Sequence, residues 1–199
     1  MAISPPRKIA FDVLRRVAAE NAYAADLLYT QLKSGVKKPD ASLATELTLG
    51  VLRWQRLLDF LLQRHIERRY EQLDLEVLLA LRLGLYQLRY LDRVPQHAAI
   101  NESVELVKRA HKSSAAGMVN AVLRRLDRER PNTDPARNTP EWLMESWTGA
   151  YGAAKARAIF TAVNNRLAAR EVLDILADAE PRVLIVDRRP RPWSPTSGA

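Results

Sequence analysis

The chain has 199 residues, 47% of them apolar and 27% charged, a balance that excludes a disordered polypeptide and leaves room for one well-buried domain with an appendage. It carries no cysteine, which excludes a disulfide framework, a thiolate metal site and a thiol nucleophile among these residues. The formal charge of +8 calls for a polyanionic partner, and residues 1 to 130 supply most of it, with 22 Lys and Arg against 15 Asp and Glu.

Ser4, Pro5 and Pro6 read as the start of a first helix, with Ser4 as its cap. Ala10, Val13, Leu14 and Val17 then recur at i, i+3, i+4 and i+7, one stripe facing a core. A second helix is expected from Ala24 to Lys33, stopping near Gly35. Pro39 and Asp40 announce a long third helix reaching His65. Gly50 stands in its middle at a cost of about 1 kcal/mol relative to alanine, the mark of a neighbouring helix in close approach. Asp74 is expected to cap a fourth helix. Its dense stripe of Val77, Leu78, Leu81, Leu85 and Leu88 makes it the candidate for the central position, and Pro95 ends it.

A fifth helix from Gln96 to Ala110 turns Ile100, Val104 and Val107 inward, and a sixth from Ala116 to Arg128 does so with Val119, Val122, Leu123 and Leu126. The run PNTDPARNTP then has the composition of a linker. Beyond it, a helical unit is expected from Pro140 to about Asn165 and a further helix from Ala168 to Ala177. A strand-like VLIV follows, and then a tail whose last dozen residues are expected to be disordered. No stretch approaches the roughly 18 apolar residues of a membrane span, and MAISPPRKIA lacks the apolar run of a signal peptide, so a cytoplasmic location away from membranes is expected.

Basic pairs recur along the chain, and neutralising phosphates with such groups releases condensed counterions. The candidates for RNA contact are Arg7, Lys8, Arg53, Arg56, Arg124 and Arg125. Tyr86, among leucines, reads as packing rather than base stacking, whereas Trp54 beside Arg53 suits either role. Glu102 and Asn120 fall where bulk solvent is scarce, and they read as a buried polar pair tying the fifth helix to the sixth, since an unpartnered buried polar group costs several kcal/mol. His97 opens the fifth helix, where it either faces phosphate or satisfies helix N-terminal groups, the second being favoured. The three histidines show no metal-ligand spacing, and no acid–base dyad or catalytic triad can be defended.

Three stretches carry a family resemblance: DASLATELTLGVLR (Asp40 to Arg53), the segment Leu81 to Val104 with LGLYQL and VPQHAAINESV, and MVNAVLRR (Met118 to Arg125). With the first helix they cover residues 5 to 129 and resemble the NusB-like domain at the N-terminus of the cytosine-5 methyltransferases of small-subunit ribosomal RNA, the RsmB/Sun family. Pro140, Trp142, Tyr151, Gly152, Asn164 and Asn165 resemble that fused enzyme rather than the free antitermination factor. The resemblance implies an all-α protein, a NusB-like helical bundle followed by a short helical extension. It divides the chain into an RNA-binding domain at 1–129, a linker at 130–139, the helical start of a methyltransferase RNA-binding subdomain at 140–179, and a divergent tail at 180–199.

After Arg166 the resemblance fails. The glycine-rich loop that holds S-adenosylmethionine in the family, and the two catalytic cysteines, have no counterpart in these residues. Carbon 6 of cytosine must be attacked by a strong nucleophile before carbon 5 accepts a methyl group, and in the family a thiolate does this. The expectation is an RNA-binding module truncated before its catalytic domain, with no catalytic residue, cofactor or metal of its own and inactive alone. Ribosomal RNA is the expected partner, with a ribosomal protein or a separately encoded catalytic domain as further ones. The alternatives are a NusB-type transcription antitermination factor, a non-catalytic subunit of a split ribosomal RNA methyltransferase, and a purely protein-binding bundle.

Overall fold

The computed structural model describes residues 3–33, 35–66, 70–129 and 135–151. Its α-helices are α1 (Pro5–Glu20), α2 (Ala24–Leu32), α3 (Lys38–Gln63), α4 (Leu75–Tyr90), α5 (Gln96–Arg109), α6 (Ala116–Glu129) and α7 (Glu141–Tyr151), with 3-10 turns at Tyr70–Gln72, Ser113–Ala115 and Pro135–Asn138. There is no strand among the described residues, so the fold is all-α. None of their helices is long and apolar enough to cross a membrane.

α4 is the axis of the bundle. From Leu79 to Gln87 every residue is buried, so this helix shows no solvent face over more than two turns and packs against α1, α3, α5 and α6. Two glycines permit the close approaches. The Tyr86 ring of α4 lies on Gly50 of α3, in the space where a Cβ would stand, and Leu123 of α6 and Ser103 of α5 close over Gly84 in the same way. A smaller cluster of Val13, Leu27 and Leu28 fastens α2 to α1.

Buried charge is paired wherever it enters this core. Arg82 of α4 grips Asp59 of α3 through both ends of its guanidinium, at 2.7 and 2.8 Å, and the Tyr70 hydroxyl donates to the same carboxylate. Desolvation and the neighbouring carboxylate push the Tyr70 phenol pKa well above its ordinary value, so it stays a donor at any physiological pH.

Two expected caps are not made. Ser4 precedes α1, but its hydroxyl donates to Glu102 at 2.6 Å rather than accepting from the first turn, and Pro5 and Pro6 leave fewer N–H groups there to satisfy. Asp74 precedes α4, but its carboxylate takes the Lys112 ammonium at 2.8 Å. In both cases a charged partner brought by the fold outcompetes a neutral backbone donor.

The proline-rich stretch after α6 ends in a docked turn. Asn138, buried, donates from Nδ2 to the Arg53 carbonyl at 2.6 Å and accepts from the Leu57 N–H at 3.3 Å. Those two backbone groups are i and i+4 partners in an α-helix, so one carboxamide bridges both ends of a single rung of α3. The compact unit accordingly runs to Pro140, and a second unit begins at Glu141 with α7. The helical unit expected from Pro140 is described as far as Tyr151. Its remainder, the helix at 168–177, VLIV and the tail lie outside the described residues.

Candidate nucleic-acid interface

Arg7 and Lys8 are neighbours in sequence with opposite fates. One residue of helix is a rotation of about 100°, which puts Arg7 on the stripe of Ala10 and Leu14 and Lys8 on the outer face. Arg7 is 7% exposed, and its donors are spent inside: Nε on Gln87 at 2.6 Å, Nη1 on Ser4 Oγ at 2.8 Å and on Glu102 at 2.9 Å. Burial pulls its pKa down and Glu102 opposes, but a guanidinium remains charged. The expectation that Arg7 meets RNA is therefore corrected: it is a strut joining α1 to α4 and α5.

The expected bond between Glu102 and Asn120 is not made either. Glu102 faces α1, where it receives the Ser4 N–H at 2.7 Å, the Ser4 hydroxyl and Arg7. Asn120 accepts from Arg124 Nε one turn along α6, at 3.0 Å. A carboxylate leaving water needs a cation to offset its desolvation, which a neutral amide does not supply.

The other five cations are exposed. Among the described residues, Lys8, Arg53 and Arg56 make no side-chain hydrogen bond or ion pair, whereas Arg124 holds Asn120 and Arg125 pairs with Glu129 at 2.7 Å. They do not form one cluster. Arg53 and Arg56 lie a turn apart on α3, which packs on α1 and α4, while Arg124 and Arg125 lie in the C-terminal half of α6, which packs on α4 and α5.

The aromatic candidates divide as the sequence allowed. Tyr86 is buried, and its hydroxyl donates to Glu46. Half-buried Trp54 stacks on Tyr90 at 5.2 Å between centroids, so one face of its indole is already covered. His97 is exposed in the first turn of α5.

Three residues were missed. His65 is partly buried, its side chain 7% exposed and 3.5 Å from Glu129, and desolvation holds its pKa below the ordinary value. Arg64 and Arg137 are exposed and share the Phe60 ring, with guanidinium carbons 5.9 and 4.2 Å from its centroid. The spacing of Phe60 and Arg64 was there to be found; Arg137 lay in a stretch whose composition says only turn.

No group of His, Asp or Glu among the described residues is arranged to hold a metal ion. A cleft of about 340 Å³ between α6 and the segment before α4 is lined by Ile66, Leu73, Met118, Ala121 and Val122, with His65 and Arg125 at its edges. It has no carboxylate for ribose and no glycine-rich turn opening a helix, so this cleft does not fit S-adenosylmethionine.

The NusB family model matches residues 4–128, the span from α1 through α6. The chain belongs to the NusB family. Relatives of this NusB domain include "Probable ribosomal RNA small subunit methyltransferase B" of Bacillus subtilis, 37% identical over 166 residues that make up 77% of this chain and 37% of that protein. "Ribosomal RNA small subunit methyltransferase B" of Thermus thermophilus is 40% identical over 76% of this chain and 37% of its own length. The protein of that name from Pseudomonas putida is 34% identical over 87% of this chain and 44% of its own. The chain thus spans well under half the length of these curated relatives. A solved chain from "Crystal Structure of a Plectonemic RNA Supercoil" superposes with a TM-score of 0.58 at 24% identity, over 63% of this chain and 93% of that one, a likeness of fold.

Proposed function

We propose that this chain is an RNA-binding module that places ribosomal RNA for a cytosine-5 methyltransferase, holding the strand by phosphate contacts from Lys8, Arg53, Arg56, Arg124 and Arg125. The observation that carries this is a NusB bundle whose surface cations Lys8, Arg53 and Arg56 have no acidic partner among the described residues, on a chain whose excess charge is concentrated in that bundle. Ribosomal RNA, rather than a leader transcript, is favoured because the likeness to the methyltransferases covers up to 87% of the chain, well beyond the NusB stretch. The 199 residues contain no thiol, so in this reading the nucleophile is a cysteine outside them.

Filter binding of a ribosomal RNA fragment across a salt series tests the proposal. Affinity is expected to fall on a log–log plot with a slope of about 0.7 per neutralised phosphate on single strands. The double variant Arg53→Glu/Arg56→Glu should lower both affinity and slope. Wild-type binding that ignores salt would overturn the reading. With radiolabelled S-adenosylmethionine and the same RNA, the purified chain is expected to transfer no label unaided.

A further inference from the structure

We infer that the turn at Pro135–Asn138 completes an arginine cradle on α3, in which Arg53, Arg56, Arg64 and Arg137 surround Phe60 and hold the phosphate backbone of an RNA strand. The inference rests on the RNA-binding reading above and assigns it a face.

Positions 53, 56, 60 and 64 follow one another at i, i+3, i+7 and i+11, so they share a face of α3. At 1.5 Å per residue this face runs about 16 Å along the helix, long enough for several phosphates in a row. The three arginines on it are exposed, and among the described residues none is ion-paired. The single carboxylate between Arg53 and Arg64, Asp59, is drawn away by Arg82 and Tyr70, so nothing acidic in that stretch of α3 neutralises the face.

The turn adds the fourth cation. Asn138 clamps the Arg53–Leu57 rung of α3, and its neighbour Arg137 is thereby set over Phe60 with its guanidinium 4.2 Å from the ring centroid. A guanidinium held over an aromatic ring has already lost much of its side-chain freedom, yet N–H groups not engaged by the ring remain available to phosphate oxygens. Asn138 is in this scheme a positioning residue and touches no RNA. Four cations, three from the spacing along α3 and one brought by tertiary docking, then line one strip of surface.

The test compares Arg64→Ala, Arg137→Ala and Asn138→Ala with wild type in the 199-residue chain, using a 16-nucleotide single-stranded RNA and a hairpin of the same composition. On the single strand each lost contact should lower the log–log salt slope by about 0.7, which is about fivefold in affinity between 1 M and 0.1 M salt. Asn138→Ala should weaken binding as much as Arg137→Ala without removing a charge, and Arg137→Ala should then have no further effect in the Asn138→Ala background. Slope loss confined to the single strand, or to the hairpin, supports the cradle and says which backbone it takes. Unchanged slopes on both RNAs in Arg64→Ala and Arg137→Ala, with Arg124→Glu/Arg125→Glu still weakening binding, would overturn the cradle and leave the RNA reading standing. Wild-type indifference to salt would remove both. Arg64 and Arg137 are exposed, so their variants keep the test decisive even if Asn138→Ala loses helicity by circular dichroism.

Discussion

Arg7 and Lys8 show how one peptide unit separates a structural cation from a solvent-facing one. Arg7→Ala would strand the half-buried Glu102 carboxylate and leave Gln87 short of a donor, and urea denaturation should register a loss of about 3–5 kcal/mol. Lys8→Ala should stay within about 0.5 kcal/mol of wild type while weakening RNA binding, because no packing depends on it. His65 gives the pH counterpart. Burial holds its folded pKa below the ordinary 6.5, in spite of Glu129 and with help from Arg125 and Arg64, so the unfolded chain binds the proton more readily. This stability is complete above pH 6.5 and is lost as the pH falls below it. Urea midpoints at pH 7.5 and 5.5 should therefore differ less in His65→Gln than in wild type, and an equal or larger drop in the variant would refute the assignment.

At the scale of helices, the α3–α4 contact is set by a missing side chain. In Gly50→Ala the better helix propensity, about 1 kcal/mol, works against displacement of the Tyr86 ring from its bond to Glu46. Overpacking of this kind costs about 1–3 kcal/mol, so a net loss of thermal stability is expected, and a gain in Tm would show that the ring moves freely. Much of this level was legible beforehand. The dense apolar stripe of α4 marked it as central, Gly50 signalled a close approach, and α2, α3, α5 and α6 fall near their expected limits. The partners of individual polar groups were not legible. Ser4, Asp74 and Glu102 each had a plausible local role, and each was claimed by a charge that arrives only when distant helices meet, from Lys112 for Asp74 and from Arg7 for Glu102. Asn138 was hidden for the same reason, since Pro, Asn and Asp announce a turn without saying what it docks against.

The molecule as a whole divides at Pro140 into a basic bundle and a second unit opening with α7. Charge counting put the excess of positive charge in the first 130 residues, the half for which RNA binding is proposed. It could not decide which cations were available, because Arg7 counts the same as Lys8 until burial is known. The clamp of Asn138 on α3 also sets a rule for chain length. Only residues 130–134 separate Glu129 from Pro135, and fully extended chain reaches at most about 3.6 Å per residue, so this tether can reach no further than roughly 20 Å. Inserting four glycines and serines should cost only a few tenths of a kcal/mol of loop entropy and leave the unfolding midpoint almost unchanged, whereas deletions are tolerated only while the remaining residues still reach the turn. A leash with a shortest workable length but almost no longest one predicts that natural variants of this segment will grow far more often than they shrink.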